Sequence, residues 1–140
     1  EEADCSSVIV DHKQGGYAAV KYLLGLGHRN IGCVTGPSGL EDSMERLKGY
    51  KKALEEYKIS YRDEFIYEGN YDRESGAGAV DFFEGKEISA IFAFNDMSAY
   101  GVYNGLKKKG ISVPRGMSLI GYDDIFFSEI LTKQVKVLFI

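Results

Sequence analysis

The chain has 140 residues, of which 44% are hydrophobic and 27% charged, the proportions and size of a single globular domain. Its net charge of −4 argues against a surface that grips nucleic acid, which needs a basic face to displace counterions. No apolar run approaches the roughly 20 residues that span a bilayer, and Glu1 and Glu2 stand where a basic signal segment would begin.

Residues 7–11 form the first β-rich run. A helical period follows over 15–26, with Ala19, Tyr22, Leu23 and Leu26 at i, i+3, i+4 and i+7. Gly27 then supplies the left-handed residue that commonly ends a helix. A second β-rich run covers 31–35 and contains Cys33. With only Cys5 as its possible partner, Cys33 reads as a buried free thiol, which fits a reducing cytoplasm. Residues 43–57 place Leu47, Tyr50, Ala53, Leu54 and Tyr57 on one helical face. A strand is expected at 65–68 and a helix at 73–83, with Ala79, Phe82 and Phe83 inward. The apolar run 90–94 is a strand buried on both sides. The helix 96–109 aligns Ala99, Val102, Tyr103 and Leu106, with Asn95 or Asp96 as its cap and Gly110 as its stop. Lys107, Lys108 and Lys109 read as a solvated helix end, where cations are favoured. A strand at 118–122, a short helix at 125–130 and a last apolar run at 135–140 complete the chain.

Strands alternating with helices imply βαβ units and an α/β fold, a doubly wound parallel sheet with helices on both faces. In such sheets ligands bind beyond the carboxyl ends of the strands. The residues at those ends are Asp11 and His12, the loop 36–42, residues 69–71, Asn95 and Asp96, and residues 122–124, with Arg46 nearby on the second helix. Aromatic faces beside carboxylate, amide and guanidinium groups suit a sugar or other polyol: rings cover the C–H faces, and the polar groups pair with hydroxyls.

Five segments carry a family resemblance. Gly27-His28-Arg29-Asn30-Ile31-Gly32, Arg46-Leu47-Lys48-Gly49-Tyr50, Gly69-Asn70-Tyr71 running to Ser75-Gly76, Asn95-Asp96-Met97-Ser98-Ala99, and Val113-Pro114 running to Gly121-Tyr122-Asp123-Asp124 occur in that order. Together they resemble the lactose/galactose-repressor family of transcription regulators over nearly the whole chain. The resemblance implies one Rossmann-like lobe of the periplasmic-binding-protein type I fold, with residues 1–140 forming a single domain, the carboxyl-side lobe of the effector-binding core. The DNA-binding headpiece and the amino-side lobe have no counterpart in these residues.

The resemblance also implies roles. Arg46 stands at the effector-binding arginine position, Tyr71 where an aromatic packs on the ligand ring, and Asn95 and Asp123 where sugar hydroxyls or purine edges are bonded. Leu40 and Asp42 fall in the variable specificity loop. His28, after a helix-ending glycine, reads as structural. Subunit pairing would use Met97 and Tyr100 on the fourth helix and Ile125 and Phe127 beyond the last predicted rim. The implied partners are a sugar-like effector, a second copy, and operator DNA through the headpiece alone, with no membrane and no cofactor. A sugar-binding transport protein of the same fold is the alternative. An enzyme of flavodoxin-like or nucleotide-binding type fits poorly: residues 36–39 lack the lysine-serine/threonine ending of a phosphate loop, and neither histidine nor cysteine shows metal-ligand spacing.

Overall fold

The computed structural model of the chain describes residues 11–113 and 115–122. Among these, helix α1 (His12–Gly25) is followed by β1 (Ile31–Thr35), α2 (Glu41–Glu56), a 3-10 turn (Asp63–Phe65), β2 (Ile66–Glu68), α3 (Arg73–Phe83), β3 (Ala90–Ala93), α4 (Asp96–Lys108) and β4 (Ser118–Gly121). The strands form a four-stranded sheet in the order β2-β1-β3-β4. Every neighbouring pair is parallel, with Cys33 opposite Phe92 and Phe92 opposite Ile120.

Alternation along the strands divides the core in two. Ile31, Cys33, Ala90, Phe92, Phe94 and Ile120 face α1 and α2, where Ala19, Leu23, Tyr50 and Ala53 are fully or almost fully buried. Val34, Ile91, Ala93 and Leu119 face α3 and α4 and meet Ala79, Val80, Phe83, Val102 and Leu106. Both faces of β1 and β3 are therefore covered, so these strands are apolar throughout. The Tyr50 hydroxyl, carried into this core, donates to the Ile31 carbonyl at 2.7 Å, which satisfies an otherwise costly buried group.

The fold class agrees with the sequence reading, while several boundaries move. Helix α1 starts at His12 rather than at residue 15, because Asp11 is its N-cap and accepts from Gln14 N at 3.0 Å. Asp11 thus belongs to a cap and not to a strand. Helix α2 starts at Glu41, two residues early, where Glu41 and Asp42 complement the helix dipole; Arg46 consequently lies on its second turn. Phe65 closes the 3-10 turn instead of opening β2. Strand β3 ends at Ala93, although Phe94 N still bonds Val34 O at 2.9 Å. Strand β4 ends at Gly121. Lys109 is not simply solvated: its ammonium bridges Asp81 at 2.9 Å and Glu84 at 3.1 Å, tying α4 to the end of α3. Cys33 is buried and free, and burial pushes its thiol well up. His28 bonds Ser89 Oγ at 2.7 Å, a structural contact as expected. Cys5, most of the run 7–11, Asp123, the segment with Ile125 and Phe127, and the run 135–140 lie outside the described residues.

Candidate functional site

The strand order places a switch point between β1 and β3, since the chain leaves β1 toward β2 on one side and reaches β3 on the other. A cleft opens at such a point beyond the carboxyl ends. Here those ends are Thr35-Gly36 and Phe94-Asn95.

Arg46 reaches this point from α2 and is 6% exposed. Its Nη1 donates to the Tyr71 hydroxyl at 2.9 Å and to the Phe94 carbonyl at 3.0 Å, and its Nη2 bonds His12 Nδ1 at 3.2 Å. The guanidinium lies over the Tyr122 ring, 4.1 Å from its centroid, and 5.6 Å from that of Tyr71. A guanidinium only donates, so His12 Nδ1 is the acceptor and the imidazole proton sits on Nε2. The Tyr122 hydroxyl donates to the same Nδ1 at 3.3 Å. A guanidinium has five N–H donors. Three are committed, while Nε–H has no acceptor among the described residues.

Tyr71 is held from both ends. Its backbone has φ 63°, a left-handed conformation that an aromatic residue rarely adopts without support. That support comes from Asn95, whose Nδ2 donates to the Tyr71 carbonyl at 3.0 Å. At the other end the Tyr71 hydroxyl donates to Asp42 Oδ1 at 3.1 Å. The ring lies on Gly36, where any Cβ would collide with it. Burial, outweighing the opposing pull of the Arg46 charge, pushes the phenol up to about 12.

Asn95 has a second task. Its Oδ1 accepts from Ser98 N at 2.9 Å and caps α4. One side chain therefore fixes both a helix start and the strained Tyr71 turn. Asp96 follows on the first turn of α4, fully buried, where a carboxylate suits the helix dipole. Below the cleft, Ser43 Oγ accepts from Gly36 N at 2.9 Å and holds the loop after β1 against α2.

The structure thus brings Arg46, Tyr71, Asn95 and Asp42 into one hydrogen-bonded group. Leu40 stands at its edge as the N-cap residue of α2, 45% exposed. Asp123 follows Tyr122 directly and lies outside the described residues. Met97 and Tyr100 lie on α4, both half-buried, with the Arg73 guanidinium 5.1 Å from the centroid of the Tyr100 ring. Two further members were read from the sequence only as rim residues, without a role: His12, which bonds Arg46, and Tyr122, which stacks on it. Both immediately follow a strand or predicted strand, so position along the rim was the available signal. The described residues contain no group of three or more His, Cys, Asp or Glu that would hold a metal ion, and no helix among them is long and apolar enough to cross a membrane.

Comparison with known proteins gives a consistent set of likenesses. The family model for a periplasmic binding protein-like domain matches residues 20–135. The HTH-type transcriptional repressor PurR of Vibrio atlanticus is 39% identical over 131 residues, covering 92% of this chain and 39% of that protein. The PurR repressor of Actinobacillus pleuropneumoniae is 40% identical over 136 residues, again 92% of this chain and 40% of the relative. Among solved structures, a sugar-binding transcriptional regulator of the LacI family from Escherichia coli, complexed with phosphate, superimposes with TM-score 0.87 at 36% identity, covering 93% of this chain and 48% of that one. A LacI-family regulator from Enterococcus faecium with bound ribose gives 0.85 at 32% identity, covering 91% and 48%. The chain spans about two fifths of the length of the repressors it matches.

Proposed function

Since the chain belongs to the LacI/GalR (lactose/galactose-repressor) family and has its periplasmic-binding-protein-like fold, we propose that it is the carboxyl-side lobe of an effector-sensing core, serving a transcription regulator as a binding module rather than as an enzyme. The observation that carries this reading is the placement of Arg46. A buried cation is costly unless it is paired or bonded, and this one sits at the sheet's switch point, clamped by Tyr71, Phe94, His12 and Tyr122. The clamp fixes the guanidinium before any ligand arrives, which lowers the ordering cost of binding.

In this reading the effector is a small hydroxylated molecule of the sugar class. Arg46 donates to it, the Tyr71 ring covers an apolar face, and the Asn95 amide and Asp123 carboxylate bond hydroxyls. Leu40 and Asp42 tune selectivity from the loop before α2. In the whole protein a second lobe would close over the ligand, and the closed and open states would hold operator DNA differently. Two copies would pair through Met97 and Tyr100, with Ile125 and Phe127 contributing, and the regulator would work in the cytoplasm. The repressor relatives favour this branch over a transport protein.

Calorimetry of the chain with ribose, cellobiose and a purine base tests the reading. One lobe supplies half of a pocket, so the expected affinity is about millimolar or weaker. Binding should fall at least about tenfold in Arg46→Ala, the loss of one charge-assisted contact. Submillimolar binding that survives Arg46→Ala would place recognition elsewhere and contradict the proposal.

A further inference from the structure

Outside the rim of the sheet, a groove of about 840 Å³ runs along α2 among the described residues. Lys13, Lys48, Lys51, Lys52 and Lys58 line it against a single glutamate, Glu55. All five lysines are exposed, in a chain whose net charge is −4. Five of the chain's 17 Lys and Arg residues therefore meet on one surface with a single carboxylate, while the other residues carry the net negative charge. Glu45 pairs with Lys48 at 2.9 Å and Glu56 accepts from the Tyr17 hydroxyl at 2.6 Å, which leaves Lys13, Lys51, Lys52 and Lys58 without an ion pair among the described residues.

Two of the lysines are held in place. Lys51 lies 4.5 Å from the centroid of the Tyr61 ring, and Lys52 lies 4.8 Å from that of Tyr17. Cation–π contacts of this kind keep an ammonium over a ring without consuming its hydrogen-bond donors. The floor is apolar, formed by Leu54, Ile59 and Tyr61, and Tyr61 is 37% exposed. A cationic ridge beside an apolar strip is the complement of an acidic segment that also carries an aliphatic side chain.

We propose that this groove binds an acidic amphipathic protein segment, and that it does so independently of the effector site. Lys48, Lys51, Lys52 and Glu55 follow the i, i+3, i+4, i+7 spacing of one face of α2, and Lys58 lies just beyond its C-cap, Tyr57. From Lys48 to Glu56 this ridge is about 12 Å of helix, matching carboxylates presented at the same spacing on a partner helix. Nucleic acid is the poorer occupant for three reasons. The groove contains no arginine for bidentate phosphate contacts. The Tyr61 ring carries the Lys51 ammonium over it and meets Tyr50 edge-on at 6.3 Å, so a base would have to displace Lys51 to stack there, whereas an aliphatic side chain can pack beside it. Glu55 would repel a phosphate, whereas it would pair with a lysine in a mixed peptide.

The test is fluorescence anisotropy of a labelled helical peptide bearing glutamates at i, i+3, i+4 and i+7 and one leucine, titrated with the 140-residue chain. A charge-matched peptide without leucine and an oligothymidylate of equal charge serve as competitors. The paired reversal K51E/K52E should weaken peptide binding at least about tenfold, and raising salt from 0.01 to 0.15 M should weaken it markedly, as for contacts at an exposed interface. The reversal K107E/K108E, made at the exposed end of α4, should leave it within about twofold, since distant rim charges act weakly. Unchanged circular dichroism and thermal midpoint establish that both variants fold. Equal losses in the two variants would show unspecific attraction and overturn the proposal. So would tighter binding of the oligothymidylate, or no measurable peptide binding at low salt. Arg46→Ala should not alter peptide binding, so failure here and failure of the effector reading are distinguishable.

Discussion

The two helix pairs on either side of the sheet are built by the same device and used differently. On one face, α1 and α2 interlock through Gly16, which rests on the Arg46 backbone, and Gly49, which rests on the Lys13 carbonyl and the Tyr17 amide. On the other, Gly76 rests on the Ser98 carbonyl and Gly101 on the Arg73 carbonyl. Each pair approaches closely because it meets glycine at the crossing. The first pair, however, carries a buried cation to the cleft, and the second carries none. Helix packing on the α1–α2 face therefore also sets the position of Arg46, whereas on the α3–α4 face it sets stability and the placement of Met97 and Tyr100.

The largest expected effects sharpen that contrast. Gly49→Ala and Gly101→Ala each force a Cβ into backbone of the facing helix, and each should cost about 3 kcal/mol or more in urea denaturation, at the upper end of overpacking penalties. Only Gly49→Ala should also disturb effector binding measured on the folded fraction. Equal effects on binding would erase the difference between the faces. Arg46→Ala comes next. It deprives Phe94 O and the Tyr71 hydroxyl of a charged donor, with an expected loss of about 2 kcal/mol in the same assay.

Asn95→Ala should cost about 1 kcal/mol through the lost cap of α4. It also frees the Tyr71 carbonyl, so backbone amide exchange should rise around residues 70–72. If exchange there is unchanged, Asn95 does not hold the strained turn. The smallest effect is in alkali. Burial raises the Tyr71 phenol from 10.0 to about 12, so the folded state keeps a proton that the unfolded chain has lost. That contribution is fully present below pH 10 and disappears as pH rises through about 12. Absorbance at 295 nm should show a late-titrating phenol that is missing in Tyr71→Phe. Titration of Tyr71 near 10 would contradict its enclosure.

Much of this was legible in the sequence because periodicity reports burial. Ala90 to Phe94 is apolar throughout, and the helix pairs α1–α2 and α3–α4 cover its two faces. The helical spacing of Leu47, Tyr50, Ala53 and Leu54 marked the inner face of α2. Boundaries were less legible where a side chain intervenes: Asp11 reads as the end of a strand, yet its carboxylate caps α1 and brings His12 into helix. Within the site, Arg46, Tyr71 and Asn95 stand in recognisable motifs. Tyr122 also stands in one and His12 does not, but the grip of both on Arg46 was not legible, because they lie 76 and 34 positions away from it and local pattern cannot encode such a contact. Lys109 is exposed at the end of α4 as read, but its ion pairs were hidden for the same reason, since Asp81 and Glu84 reach it from the end of α3.

The central claim is that polar and aromatic groups meet at the carboxyl rim of β1 and β3 to hold a small hydroxylated molecule. Amide and guanidinium NMR shifts of the labelled chain, titrated with ribose, cellobiose and a purine base to tens of millimolar, test it most directly. The account predicts that a ligand moves the Arg46 Nε–H, the backbone amides of Tyr71 and Asn95, and the residues after β4 together along one saturation curve. Shifts confined to the opposite end of the sheet, or Arg46 and Asn95 unmoved by a ligand that binds, would contradict it.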